Sequence, residues 1–480
     1  MFRLTAIAIG LLPIALAEVG LRIADVNTDP ADKSLTAVDN DPLVNLHSLR
    51  PLFTPSTDLQ RMEIGKERMN YFCPASFQSK KAATTFRVFA LGGSTTQGQP
   101  YRTETAFPHW LALRLKAAMP DRRIEMVNCG GISYASYRVA PILDEVLAYS
   151  PDLIVLYTGH NEFLEARTYA RQRQVPRWLA RPLATVASLK VSQTLASAFR
   201  TDDDLPSTRT TLPGEVDTLL DHADGMDAYQ RDPQWIEAVH GHFERTLSSM
   251  VARCQVANVP LVICVPTSDL VNTPPFKSQP SPTLPQADQN EVARLAKLAI
   301  SESADVSVRL HAATNILRLD PQHAMANYVL GRWSYETTTA DPAKAWQRLV
   351  DARDHDVCPL RATTRIEQAV RSQQDKPQVF FVDTPLLFDQ RNAKEQRIAD
   401  NIADPTWFVD HVHPTIEGHQ KIAEAIYTAL SRSLFSPAEG AQTRYEANVA
   451  KHLGTLGEEY FGRAKQRLDG VNRWSRRAGP

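Results

Sequence analysis

Five short apolar runs, Arg87–Gly93, Ile124–Gly130, Leu153–Gly159, Pro260–Pro266 and Gln378–Asp383, are separated by stretches with helical periodicity. Each run is continuous rather than alternating, the pattern of a strand covered on both faces. Thr105–Ala118, Val139–Tyr149, Pro233–Ala257 and Thr415–Leu430 read as the covering helices. This βαβ rhythm predicts an α/β fold with a doubly wound parallel sheet. In such sheets the ligand crevice opens at the carboxyl ends of the strands, so chemistry is sought in the residues that follow each run.

Those residues form a set. The first strand ends in Gly92-Gly93-Ser94, a turn that can present a serine hydroxyl and its own N–H to a cleft. The second ends in Asn128-Cys129-Gly130-Gly131-Ile132-Ser133, where glycines leave backbone N–H groups accessible, and the third in Thr158-Gly159-His160-Asn161-Glu162. After the fifth comes Asp410-His411-Val412-His413-Pro414, with the proline suited to the first turn of the next helix. A carboxylate three residues before a histidine can hold the tautomer whose Nε2 takes a proton from serine. The reading is therefore a nucleophile Ser94, a base His413 and an orienting Asp410. Oxyanion donors come from Ser94 N–H, the Asn161 side chain, and the N–H of either Gly131 or Ser133. Asp410, His411 and His413 also form a dense group of metal-type donors. No second such cluster lies at another strand end, so no metal is expected.

Composition limits the alternatives. Lys+Arg 53 against Asp+Glu 54 leaves no basic footprint for nucleic acid, and 43% apolar with 22% charged residues describes a globular chain. Five scattered cysteines without a CxxC pair argue against a disulfide framework or a zinc site. Arg3, the apolar run Leu4–Ala17 and Ala15-Leu16-Ala17 fit a secretory signal peptide over residues 1–25, or an uncleaved membrane anchor. An exported, cell-envelope location follows as the expectation.

The remaining chain divides as follows. Residues 26–84 read as an N-terminal linker, and 85–275 as the first part of the catalytic domain with a lid-like insertion at 165–231. Residues 276–374 form a helical insertion, 375–435 the second part of the domain, and 436–480 a helical tail. In the insertion, Ala312–Leu319, His323–Arg332 and Pro342–Ala352 are similar to one or two tetratricopeptide-type helix pairs, with an ordinary helical insertion as the other reading. The basic end of the tail, Arg473, Arg476 and Arg477, reads as a solvated face.

The set of turns resembles the SGNH hydrolases, also called GDSL esterases/lipases. Gly92–Thr95 is similar to the family's first block, Asn128–Ser133 to the second, Gly159–Glu162 to the third and Asp410–His413 to the fifth. The resemblance implies a flavodoxin-like three-layer α/β/α fold with a five-stranded parallel sheet. It also implies an acyl-serine mechanism without metal or organic cofactor. An N-terminal anchor with inserted helix pairs is similar to large bacterial members of the superfamily. Three positions depart from the pattern: Gly93 replaces an aspartate, Glu162 replaces an aspartate, and Ser133 stands where a glycine is usual. The expected function is a serine esterase acting on a small-molecule or polysaccharide-linked ester. An O-acyltransferase for cell-envelope polysaccharide and a non-catalytic membrane-tethered scaffold are the rival readings. Expected partners are the membrane, through the N-terminal segment, and a protein at the helical insertion.

Overall fold

The computed structural model describes residues 47–49, 51–165, 210–212, 215–337, 342–388 and 403–476. The predicted signal or anchor segment, and residues 166–209 of the lid-like insertion, lie outside the described residues. Among the described residues no helix is long and apolar enough to cross a membrane.

All five predicted strands form: β1 Thr85–Gly92, β2 Arg123–Gly130, β3 Leu153–Tyr157, β4 Leu261–Cys264 and β5 Val379–Val382. They pair in parallel in the order β5-β4-β3-β1-β2, the flavodoxin-like arrangement. Alternate residues point to opposite faces. Phe89, Leu91, Ile154, Leu156, Leu261 and Ile263 join one core with α2 (Ser136–Leu147) and α3 (Pro233–Val256). Val88, Ala90, Val155, Val262 and Cys264 join the other core with α1 (Phe107–Ala118) and a later helix, Ile416–Ser431. The continuous apolar character of the runs is thus explained by two cores, one on each side of the sheet.

Between β4 and β5 stand α4 Gln286–Ala299, α5 Val306–Leu319, α6 Ala324–Glu336, α7 Pro342–Asp354 and α8 Thr364–Arg371. The first four pack each against the next. Val292, Leu295, Ala312, Ala313, Ile316 and Ala326 make the core shared by α4, α5 and α6, where small residues let helices approach, while Leu349, Val350 and Ala352 of α7 pack with Tyr328, Leu270 and Val271. This region is fastened to the sheet domain by an ion pair between Arg231 and Asp320, and Asp320 also accepts the Ser281 N–H within the region.

Residues 51–84 do not act as a linker. Phe53–Pro55, Arg61–Ile64 and Ser76–Gln78 form an antiparallel meander. Phe53 and Phe77 stack edge-on with each other and with Phe89 of β1. Arg87 is fully buried beneath them, pairing with Glu125 at 2.7 Å and donating to the carbonyls of Tyr149 and Gln78. A buried arginine inside a strand is stable only when its donors are filled, and the meander fills one of them. After α9 (Ile416–Ser431), α10 (Ala441–Leu453) packs on α1, with Arg114 held between the rings of Tyr427 and Tyr445 and paired with Glu424. The last helix, α11 (Glu458–Arg476), reaches back to the sheet domain through Tyr460 Oη to Thr105 Oγ1 at 2.7 Å and Trp474 Nε1 to Asp221 at 3.1 Å.

Six histidines are buried and held below their ordinary 6.5 chiefly by burial: His160 and His419 to about 3, His109, His240, His323 and His411 to about 4. As pH falls from 6.5 toward 4 the unfolded chain takes up protons that the fold refuses, so each of these groups lowers stability. Glu162 and Asp356, both raised to about 7 by burial, act in the opposite sense over part of that range. Six groups outweigh two. The midpoint of thermal unfolding is expected to be clearly lower at pH 5 than at pH 7, and an unchanged or higher midpoint at pH 5 would contradict these burials.

Candidate active site

The strand ends converge. Ser94 opens a short helix, Ser94–Gln97, that rests directly on the ends of β1 and β2. Close approach is possible because Gly92 and Gly130 have no side chains. A Cβ on Gly92 would lie 2.0 Å from the Tyr157 carbonyl oxygen, and one on Gly130 would lie 2.2 Å from the Gln97 nitrogen. The helix is then tied down on several sides. Thr96 Oγ1 donates to the Tyr157 carbonyl, Asn128 Nδ2 to the Thr96 carbonyl, and Gln97 Nε2 to the carbonyls of Tyr71 and Gly130. Thr95 Oγ1 reaches the Val412 carbonyl at 3.4 Å, linking this helix to the Asp410–His413 loop.

His413 Nε2 lies 2.7 Å from Ser94 Oγ, and His413 Nδ1 lies 2.6 Å from Asp410 Oδ2. The second carboxylate oxygen, Oδ1, accepts the N–H groups of Val412 and His413 at 3.0 and 2.8 Å. Burial opposes charge on Asp410. The His413 and His411 rings beside it, and the hydrogen bonds from His413 and Val412, outweigh that effect and hold its carboxyl well below the usual range. Among the described residues no group of three histidine, cysteine, aspartate or glutamate side chains is arranged to hold a metal ion.

The candidate oxyanion donors separate. Gly131 N–H donates to the Gly92 carbonyl at 3.0 Å, so it is committed to holding the second turn on the first. Of the two alternatives for the second turn, Gly131 is thus the one whose N–H is already bonded within the fold. Ser133 adopts φ +62°, the left-handed conformation in which glycine is the usual occupant. Among the described residues no acceptor faces its N–H or that of Ser94. Asn161 Nδ2 spends one hydrogen on the Tyr134 carbonyl at 3.1 Å and keeps a second. Ser94 N–H, Ser133 N–H and Asn161 Nδ2 are thus the donors the fold leaves free for a ligand oxygen.

Glu162, which the sequence already marked as a departure from the family pattern, and groups that it did not mark complete the site. Glu162 takes the N–H and hydroxyl of Ser136, both at 2.8 Å, which places an acid at the first turn of α2 and fixes the residue after Asn161. Tyr134 packs edge-on against Phe72, and its hydroxyl accepts from Arg68 at 3.2 Å. His160 Nδ1 accepts the Ala362 N–H at 3.1 Å, joining the third turn to the segment before α8. These contacts span tens to hundreds of residues, and single-sequence patterns carry no signal for them.

Residues 90–328 match the GDSL-like lipase/acylhydrolase family. That segment runs from within β1 into α6, so Asp410 and His413 lie beyond it and reach Ser94 only through the fold. No curated protein matches the chain. Among solved structures the chain is similar to LAE5, an alpha/beta hydrolase enzyme from the metagenome of Lake Arreo, Spain, at 14% identity and a TM-score of 0.31, covering 73% of this chain and 96% of that one. It is similar to a variant of Axe2, an acetyl xylan esterase from Geobacillus stearothermophilus, at 12% identity and a TM-score of 0.31, covering 75% and 99%. A GDSL-like lipase from Bacteroides thetaiotaomicron VPI-5482 aligns at 12% identity and a TM-score of 0.27, covering 73% and 89%.

The glycine before the serine has a steric role. A Cβ on Gly93 would lie 2.7 Å from Asn161 Nδ2, while the Gly93 backbone (φ −90°, ψ −154°) is open to any residue. Gly93→Ala is therefore expected to leave the unfolding midpoint within a few degrees of wild type and displace the Asn161 amide. Turnover of p-nitrophenyl acetate should fall by about a hundredfold, the usual loss for one oxyanion donor. Wild-type turnover in this variant would show that Asn161 Nδ2 has no part in the reaction.

Proposed function

Because the chain carries a GDSL-like lipase/acylhydrolase domain and is an SGNH-type ester hydrolase, we propose that it cleaves its ester through an acyl-serine formed on Ser94. The observation that carries this reading is the continuous hydrogen-bonded chain from Asp410 through His413 to Ser94 Oγ, at 2.6 and 2.7 Å, assembled from residues 319 positions apart.

Ser94 Oγ attacks the ester carbonyl while His413 Nε2 takes its proton. The carbonyl oxygen gains negative charge and is met by Ser94 N–H, Ser133 N–H and Asn161 Nδ2. Collapse of the tetrahedral intermediate expels the alcohol, which receives the proton from His413. Water then attacks the acyl-serine with His413 again as base, releasing the carboxylic acid and restoring Ser94. Asp410 stays ionised throughout. Its role is to hold the His413 tautomer with Nδ1–H toward itself and to offset the imidazolium charge.

Two variants test the assignment. Ser94→Ala is expected to abolish p-nitrophenyl acetate turnover and labelling by a fluorophosphonate probe. Asp410→Asn should retain the fold but lose on the order of 10³–10⁴ in kcat, because the amide favours the wrong tautomer of its histidine partner. Retained labelling of the Ser94→Ala protein would place the nucleophile elsewhere.

A further inference from the structure

The loop leaving the Ser94 helix and the last helix of the chain border an open surface cavity of about 430 Å³. It is lined by Arg102, Glu104, Tyr460, Arg463, Gln466 and Arg467. This volume lies within the ~300–1,000 Å³ typical of small-molecule sites. Three guanidiniums face one carboxylate, so the lining carries excess positive charge. Arg463 meets Glu459 at 3.4 Å on an exposed helix face, and Arg467 donates to the Pro100 carbonyl rather than to a carboxylate. Among the described residues neither Arg102 nor Arg467 has a carboxylate at ion-pairing distance. Burial, and then the neighbouring Arg102, work against the charge on Arg467, with Glu104 offsetting part, but not all, of the effect. An anion between them would relieve that repulsion.

The backbone adds a second sign of a built site. Arg102 has φ +68°, a conformation rare for a residue with a side chain and concentrated at ligand clamps and other functional positions. It is held there by its N–H donating to the Gly98 carbonyl at 2.6 Å. Gly98 N–H in turn donates to the Ser94 carbonyl at 2.9 Å. The cavity is therefore separate from the Ser94 hydroxyl yet only two backbone hydrogen bonds from the Ser94 main chain.

We propose that this cavity binds a phosphate-bearing small molecule, with Arg102, Arg463 and Arg467 on the phosphate oxygens and Tyr460 and Gln466 against the group that carries it. A single carboxylate is satisfied by one guanidinium in a two-bond fork. Three guanidiniums arriving from two chain segments suit a tetrahedral dianion, which offers acceptors in several directions. Tyr460 presents its ring, since its hydroxyl is already engaged with Thr105. The volume leaves room for a carrier beyond the phosphate itself. The phosphate belongs either to the ester substrate or to a separate effector.

The full chain is titrated with inorganic phosphate by isothermal calorimetry, with sodium chloride holding the ionic strength constant. Saturable binding at one site is expected. It should weaken by at least about tenfold in R102Q/R463Q, and measurably in R463Q alone, where the side chain is 60% exposed and the fold does not depend on it. Absence of saturable binding to the native chain, or equal affinity in the double variant, overturns the proposal. A kinetic arm assigns the source. A kcat/KM preference for acetylated glucose 6-phosphate over acetylated glucose, lost in R102Q/R463Q, places the phosphate on the substrate. Equal use of both, with p-nitrophenyl acetate turnover shifted by free phosphate, places it on an effector.

Discussion

The Ser94 helix sits on the strand ends with no side chain between its backbone and theirs, and the rest of the site depends on that contact. Gly92 and Gly130 make it possible, because any Cβ there would collide with main-chain atoms that have no freedom to move. Once the helix is seated, the carbonyls of Ser94 and Thr95 are bound by Gly98 N–H and that of Thr96 by Asn128, while the Gln97 N–H donates to the Gly93 carbonyl. The serine is then held by backbone geometry. The groups around it come from three other turns: Ser133 with its left-handed φ, Asn161 held by the Tyr134 carbonyl, and His413 held by Asp410. Preorganisation of this kind leaves little to rearrange as charge develops on the substrate oxygen.

The electrostatics of the pocket follow from burial. His160, His411 and His419 all feel the positive potential that a charged His413 would produce, and all three are kept neutral well below neutral pH. Had any of them been cationic, it would oppose a positive charge on His413. Asp410 is the one strongly ionised acid in direct contact with the base, its charge kept by two main-chain N–H groups as well as by the ring. The polar groups around His413 thus divide into one buried carboxylate that favours a positive charge on its ring and several neutral rings that do not oppose it.

Much of this was legible in the sequence, for a physical reason. Strands buried on both faces must be continuously apolar, and their ends must carry the ligand groups, so five runs and four turns located Ser94, Asn161, Asp410 and His413 before any contact was known. The choice between Gly131 and Ser133 was not legible. It turns on which N–H the Gly92 carbonyl captures, and only the seated backbone decides that. The meander at 51–84 was missed because its strands are three or four residues long and its polar anchors, Arg87, Glu125 and Glu145, are distant charged residues that bind its main chain. A charged residue in an apolar run gives no hint of which distant carbonyls it will bind.

The helices between β4 and β5 are built into the same framework and are not an appendage on a finished domain. Tyr328 of α6 donates its hydroxyl to the Val271 carbonyl at 2.8 Å, and the buried Arg361 donates to the carbonyls of Asp269 and Thr273, both at 2.9 Å. Asp269 N–H then donates to the His411 carbonyl at 3.0 Å, within the loop that carries Asp410 and His413. The loop that places the His413 ring is closed by its own hydrogen bonds, from Val412 and His413 N–H to Asp410 and from Val409 N–H to the His413 carbonyl, and the Asp269 contact ties it to the turn before it. Here its geometry is passed down from a helix surface through two residues of the preceding turn. The chain length inserted between the fourth and fifth strands therefore separates the triad in sequence while supplying part of what holds it together in space.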